Sequence, residues 1–184
     1  MITSIDLQDV LARTVGAPYS DLVTRPTGAK VRSSIEAALG EGPREAPVVL
    51  DFSAVRVLDC SCADEVVAKL LLRRPVGPAG PSWWFLVRGV SDVQAEEIDH
   101  VLRRQGLALV AEDPDGGLRL LGTVEPAAAA AWRLLLERGS ADEAEVAEAL
   151  VLPAEAARRA LDALIGAGIV RRAGDRVRPL TSAA

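Results

Sequence analysis

Apolar positions in the middle of the chain alternate between strand spacing and helix spacing. Val48, Val49 and Leu50 form a continuous apolar run within residues 47–59, which is typical of a strand covered on both faces. The next segment predicts a helix, because its apolar residues share one helical face: Ala63, Val66, Val67, Leu70 and Leu71. The opposite face of that helix is polar and holds four charged residues: Asp64, Glu65, Lys69 and Arg73.

The segments on either side extend this pattern. Residues 83–87 predict a strand, and Ser91 with Gln94 forms a capping box that opens another helix. Residues 107–113 and 118–122 flank a Pro-Asp-Gly-Gly turn, which predicts a hairpin. Upstream, Thr27 is placed to N-cap a helix whose apolar face is Val31, Ile35 and Leu39. Strands that alternate with helices predict an α/β domain with a mixed sheet that includes parallel pairs.

The pattern changes after residue 124. Pro126 opens an alanine-rich helix, Ser140–Glu143 has the form of a second capping box, and Pro153 precedes a third helix. Residues 169–172 and 176–180 then predict a two-stranded ribbon. Three short helices followed by a hairpin are the order of a winged helix, a small α+β fold. We therefore predict two domains, residues 1–123 and 124–184.

Composition limits the classes of function. The chain has 184 residues and a formal net charge of −5, which excludes a chain-wide basic field for nucleic acid. A single histidine and two cysteines, spaced Cys-x-Cys, cannot supply a closed four-ligand zinc site, so we expect no metal and no cofactor. No apolar run approaches the ~20 residues of a membrane span, and the N-terminus lacks a basic signal-peptide region. We therefore expect a cytoplasmic protein with no membrane partner.

Residues 48–71 resemble the STAS and STAS-like families, in which a buried strand ending in Asp leads through a polar turn into a helix. The likeness is closest to the STAS-like pattern DFSGV…SSSFADE, which is matched by residues 51–55 and 60–65. It extends over residues 25–122. In the related anti-sigma factor antagonists, a partner kinase phosphorylates the Ser after the second Asp. Here Asp59 is the second acid, and Cys60 stands in the phospho-acceptor place.

This resemblance implies a regulatory or partner-binding site at Asp59, Cys60, Ser61 and Asp64. A thiol cannot be the substrate of a Ser/Thr kinase, so Ser61 is the adjacent hydroxyl to which a phosphate could be added at a helix N-terminus. The alternative is structural: Ser61 or Cys60 caps the helix, and the cysteines fill core space. That alternative predicts a buried, unreactive Cys60.

Residues 124–184 resemble bacterial winged-helix domains, whose third helix recognises DNA and whose hairpin is the wing. Residues 153–184 carry six Arg and three acids, a net charge of +3. The resemblance implies DNA contact through two arginines of the third helix and three of the ribbon: Arg158, Arg159, Arg171, Arg172 and Arg176. Arg on the helix can read guanine edges, and Arg on the wing can hold phosphates. The alternative is a solvated rim on a domain that binds only proteins.

The usual sequence signatures of enzymes are absent: there is no P-loop, no Gly-x-Gly-x-x-Gly, no His-Glu-x-x-His and no Gly-x-Ser-x-Gly. We therefore expect a non-enzymatic bacterial regulator. In one hypothesis, a STAS-like domain senses a partner or signal and the winged helix contacts DNA to control transcription. In the other, both parts bind proteins such as a kinase-like ATPase or a sigma-factor regulator, without DNA. The sequence leaves the oligomeric state open.

Overall fold

The computed structural model describes residues 3–16, 20–40, 46–77 and 80–181. Strands and helices alternate through the N-terminal two thirds of the chain. Their order is β1 (Thr3–Asp6), α1 (Leu7–Val15), β2 (Asp21–Leu22), α2 (Arg25–Leu39), β3 (Val48–Asp51), β4 (Val57–Leu58), α3 (Cys60–Ala63), α4 (Lys69–Arg73), β5 (Val76–Gly77), β6 (Gly80–Pro81), β7 (Phe85–Arg88), α5 (Asp92–Gln105), β8 (Ala108–Glu112) and β9 (Leu118–Gly122). Between α3 and α4, Asp64–Ala68 form a π-helical turn.

The C-terminal third is three helices and a ribbon. The helices are α6 (Pro126–Arg138), α7 (Glu143–Ala149) and α8 (Ala154–Ala167), and the antiparallel strands are β10 (Val170–Ala173) and β11 (Arg176–Pro179). The predicted capping box is displaced by two residues, because Asp142 is the N-cap of α7 and Glu145 closes the box.

The fold is a mixed α/β structure organised by a five-stranded sheet of order β1-β3-β7-β8-β9. The first four strands are parallel, and β9 pairs antiparallel with β8 through the predicted turn. The prediction of parallel pairing and of the 107–122 hairpin is therefore confirmed.

Both faces of the sheet are covered, each by a different part of the chain. Along β3, Val48 and Leu50 belong to a core shared with α1, α2 and α5, whereas Val49 belongs to a core shared with α6 and α8. β7 alternates in the same way, with Leu86 on the α6 and α8 side. The continuous apolar run therefore has its predicted two-sided burial, and the C-terminal third supplies the second cover.

Several helix boundaries differ from the prediction. The second helix begins at Arg25, with Thr24 as its N-cap residue, and Thr27 lies inside its first turn. Pro26 explains the shift, because proline has the φ of a first helical turn and needs no N–H partner there. The strand predicted from residue 83 begins at Phe85. Helix α1 was not predicted; Asp6 caps it by accepting from the N–H groups of Gln8 and Asp9.

Val151 is strained in the turn between α7 and α8. Its φ is +53°, in the left-handed region that a β-branched residue rarely adopts, and its side chain is 89% exposed. Burial therefore does not compensate for the backbone strain.

We predict that Val151→Gly stabilises the protein by about 1 kcal/mol, because relief of 1–3 kcal/mol of strain exceeds the added chain entropy of glycine. Urea unfolding measures the difference. Val93→Gly is the matched control, since Val93 is also exposed but lies in helix α5. It should be destabilised by about 0.4 kcal/mol, the difference in helix propensity between valine and glycine. Equal effects of the two substitutions would contradict the strain at Val151.

Candidate functional site

Asp59 organises the junction that precedes α3. Its Oδ1 accepts from the backbone N–H of Cys62 at 2.7 Å and from the Ser61 hydroxyl at 2.9 Å. Its Oδ2 accepts from the backbone N–H of Thr24 at 3.0 Å, which ties the start of α2 to the start of α3. Partial burial disfavours the carboxylate, but the N–H groups of Thr24 and Cys62 outweigh it and hold the pKa of Asp59 below its ordinary value.

The prediction that Ser61 or Cys60 caps this helix is therefore wrong. The N-cap is Asp59, whose carboxylate accepts from the backbone N–H of Cys62, three residues further on. The Ser61 hydroxyl donates to that carboxylate instead. A phosphate on Ser61 would place two anions within hydrogen-bond distance and would repel Asp59 from its capping position.

The two cysteines differ in how deeply they are buried. Cys62 is fully buried, and its Sγ donates to the carbonyl of Thr24 at 3.1 Å. Burial, followed by the negative charge of Asp59, raises the pKa of the Cys62 thiol to about 12. Cys60 is only partly buried at the edge of the core, and both thiols are free. The expectation of a buried Cys60 is therefore wrong, and the inert position belongs to Cys62.

Helices α2 and α3 meet without a gap at Gly28. A Cβ at this position would lie 2.9 Å from Glu65 Cβ and 3.1 Å from Cys62 Cα. The backbone of α2 can therefore approach α3 and the π-helical turn only because residue 28 has no side chain.

Glu65 forms a buried charge cluster beneath this junction. Its side chain lies on the helical face that the sequence assigned to the polar side, yet the residue is only 3% exposed. Its carboxylate contacts Arg25 Nη1 at 2.9 Å and Lys69 Nζ, and lies 3.5 Å from Arg32 Nε. Burial disfavours its charge, but Lys69 and Arg25 outweigh that effect and lower the pKa of Glu65.

This cluster escaped prediction because it depends on packing between helices. The predicted apolar face is buried through the π-helical turn, as Val66 and Val67 show, and Glu65 is buried in addition because α2 packs over it at Gly28. Asp64 remains partly exposed and pairs with Arg25 Nη1 at 2.7 Å. Arg25 thus bridges the surface acid Asp64 and the buried acid Glu65.

The two carboxylates of the junction are held in the charged form. The carboxylates of Asp59 and Glu65 are held charged by hydrogen bonds and ion pairs, which leaves neither suited to proton transfer near neutral pH. Among the described residues, no group of three or more His, Cys, Asp or Glu side chains is placed to bind a metal ion.

The five arginines predicted to contact DNA have unequal environments. Arg158 pairs with Glu155 at 2.6 Å, Arg172 with Asp162 at 3.5 Å, and Arg176 with Glu145 at 2.7 Å. Arg176 also donates to Ser140 Oγ and O, so it fastens the ribbon to the segment before α7. Arg159 is exposed on α8.

Arg171 lies directly opposite Arg178 across the ribbon. Arg178 is exposed, and the sequence-based set of contact residues omitted it. The strand register could have identified it, because Arg172 pairs with the buried Val177, which places Arg171 and Arg178 together on the other face.

No family model matches the chain, and no curated protein matches it. Within the described residues, no helix is both long enough and apolar enough to span a membrane.

We predict that Asp59→Ala lowers the free energy of unfolding by about 2 kcal/mol at pH 7, because it removes the cap and the bond to Thr24. Ser61→Ala should lower the free energy of unfolding by only about 1 kcal/mol, because it removes a single hydrogen bond to Asp59. The folded-state pKa of Asp59 is lowered, so its contribution is present above the unfolded pKa of about 4 and is lost as the pH falls through the folded pKa. Urea unfolding from pH 7 to pH 3 tests this: the gap between parent and Asp59→Ala should narrow below about pH 4. A gap independent of pH, or a larger loss from Ser61→Ala, would refute the assignment.

We also predict that an aromatic disulfide reagent labels Cys60 rapidly in the native protein and labels Cys62 only on unfolding, because only Cys60 is accessible. Cys62→Ala and Cys60→Ala isolate the two thiols, and labelling in denaturant gives the reference rate for each. Fast native labelling of Cys62 would contradict its burial.

Proposed function

We propose that this protein is a non-enzymatic cytoplasmic regulator in which a STAS-like junction receives a partner or signal and a winged helix contacts DNA. The N-terminal half of the proposal is supported by the local fold. Strand β3 ends at Asp51, a segment that contains the short strand β4 follows, and Asp59 caps the helix. The order of buried strand, connection and Asp-capped helix is compatible with the STAS-like resemblance. Arg25, Cys60 and Asp64 lie at the surface of the junction, where a partner can reach them.

The C-terminal half is supported by the order of its elements and by one pairing between distant segments. Ala141, between α6 and α7, exchanges two backbone hydrogen bonds with Val177 of β11, at 3.1 and 2.8 Å. A single β-bridge thereby connects the segment before α7 to the ribbon. In this proposal α8 is the recognition helix and the turn between β10 and β11 is the tip of the wing.

The observation that carries DNA contact is the opposition of Arg171 and Arg178 on the ribbon. Side chains directly opposite each other across an antiparallel pair are separated by about 5 Å at Cβ, so the two guanidinium groups can bind one phosphate together. Arg159 places a further positive charge on the exposed face of α8.

A second candidate function is protein binding without DNA. It is favoured by the ion pairs of Arg158 and Arg172 with Glu155 and Asp162, which bring acids to the exposed face of the proposed recognition helix. These carboxylates would repel phosphates, so the ribbon would have to supply most of the affinity.

We predict that the protein binds fragments of its own genome with modest affinity and a steep salt dependence, as measured by fluorescence anisotropy. Arg178→Ala should weaken binding to all sequences alike and lower the salt slope by about one unit, because one phosphate contact is lost. Arg159→Ala should also relax sequence preference.

Arg104→Ala is the matched control, since Arg104 is exposed on α5, outside the proposed interface. It should leave binding and slope unchanged. Absence of binding at ~50 mM salt, or equal losses in Arg178→Ala and Arg104→Ala, would replace DNA contact by the second candidate function.

A further inference from the structure

A cavity of about 410 Å³ lies where the sheet meets the C-terminal helices. Its lining residues come from the parts of the chain before and after the connecting segment 123–125. Its apolar wall includes Leu107, Ala108, Ala128, Leu164 and Ile169. The volume falls within the range of pockets that bind small molecules, about 300–1,000 Å³.

Arg74 lines this cavity and is only 8% exposed. Its Nη2 donates to the carbonyls of Gly166 at 3.1 Å and Ala167 at 2.9 Å, which are the last carbonyls of α8 and also line the cavity. Its Nη1 is buried and has no hydrogen-bond partner in the described part of the chain. Gly168 permits this close packing, because a Cβ there would lie 2.7 Å from Nη1.

The charge of Arg74 is not compensated by an acid. None of the ion pairs among the described residues involves Arg74, and Glu125, which also lines the cavity, is exposed to solvent. Burial lowers the pKa of Arg74 to about 10, which still leaves the group charged at neutral pH. Buried charges in proteins are ordinarily paired, because an isolated one is costly.

A purely structural role accounts for only part of this arrangement. The two carbonyls at the end of α8 explain Nη2 and carry the negative end of the helix dipole, but that partial charge is smaller than one elementary charge. The unpartnered Nη1 packs near Gly168, while other atoms of Arg74 border a mostly apolar space large enough for a ligand.

We propose that this cavity binds a small organic carboxylate, with its charged group at the Arg74 wall and its apolar body against Leu107, Ala128, Leu164 and Ile169. The carboxylate offsets the buried guanidinium, and the apolar groups displace water from the rest of the space. Such a ligand contacts the end of α8 and the start of β8 at once, so it is an effector site that joins the two parts of the fold. This site does not depend on DNA binding.

The test uses the full-length protein with cinnamate as the probe and cinnamamide as its uncharged counterpart, followed by titration calorimetry and thermal unfolding. Cinnamate should bind and raise the midpoint temperature at ~1 mM, because a ligand selective for the folded state stabilises it. Cinnamamide should bind about tenfold more weakly or worse, the ratio expected from one charge-assisted hydrogen bond.

Two variants locate the site. Arg74→Met should abolish the preference for the carboxylate over the amide. Ala163→Phe should abolish binding by filling the cavity, and it keeps the proposal testable if Arg74→Met does not fold, because Ala163 is exposed on α8. Arg104→Met, a change at an exposed arginine outside the cavity, should bind cinnamate as the parent does. No binding of cinnamate by the parent, equal binding of acid and amide, or parental binding by Ala163→Phe would overturn the proposal.

Discussion

The two-sided burial of the central sheet is the constraint on which the rest of this structure depends. Neighbouring residues of β3 belong to different cores, Val48 and Leu50 on one side and Val49 on the other. A one-residue slip in register would exchange the two faces along the whole strand. The helices of the N-terminal part and the three C-terminal helices therefore rely on the same register, although they never share a face.

The junction at Asp59 solves a different problem, which is how to bring two helix starts together without leaving polar groups unsatisfied. One carboxylate accepts N–H groups from the beginnings of both α2 and α3. Beneath it, Gly28 lets the helices touch, and Glu65 is surrounded by Arg25, Arg32 and Lys69. These contacts connect α2, α3 and α4. They therefore hold the exposed residues of the junction, such as Arg25 and Asp64, in defined positions.

The sequence predicted correctly those elements that depend on residues close together in the chain. The apolar run at Val48–Leu50, the Ser91 capping box and the turn at residues 114–117 each depend on neighbouring residues alone, and the corresponding elements are found. The N-cap of α3 was predicted wrongly, because Asp59 and Ser61 both have side chains suited to capping and lie two residues apart. Burial of Glu65 could not be predicted from periodicity, because it results from the packing of α2 over the π-helical turn at Gly28. The pairing of Arg176 with Glu145 depends on tertiary contacts between ribbon and helix, which residue spacing does not encode.

Glu65 and Arg74 show two ways in which the same fold accommodates a buried charge. Glu65 has three cationic neighbours, so its desolvation is offset within the chain and its surroundings are complete. Within the described residues, Arg74 has only the carbonyls of Gly166 and Ala167, which satisfy one nitrogen and offset part of the charge. The first arrangement is self-sufficient and favours a rigid junction. The second leaves Arg74 Nη1 without a hydrogen-bond partner among the described residues, next to a cavity between the sheet and α8. The buried charge of Glu65 is thus compensated by neighbouring side chains, whereas the buried charge of Arg74, between the sheet and α8, is compensated only in part.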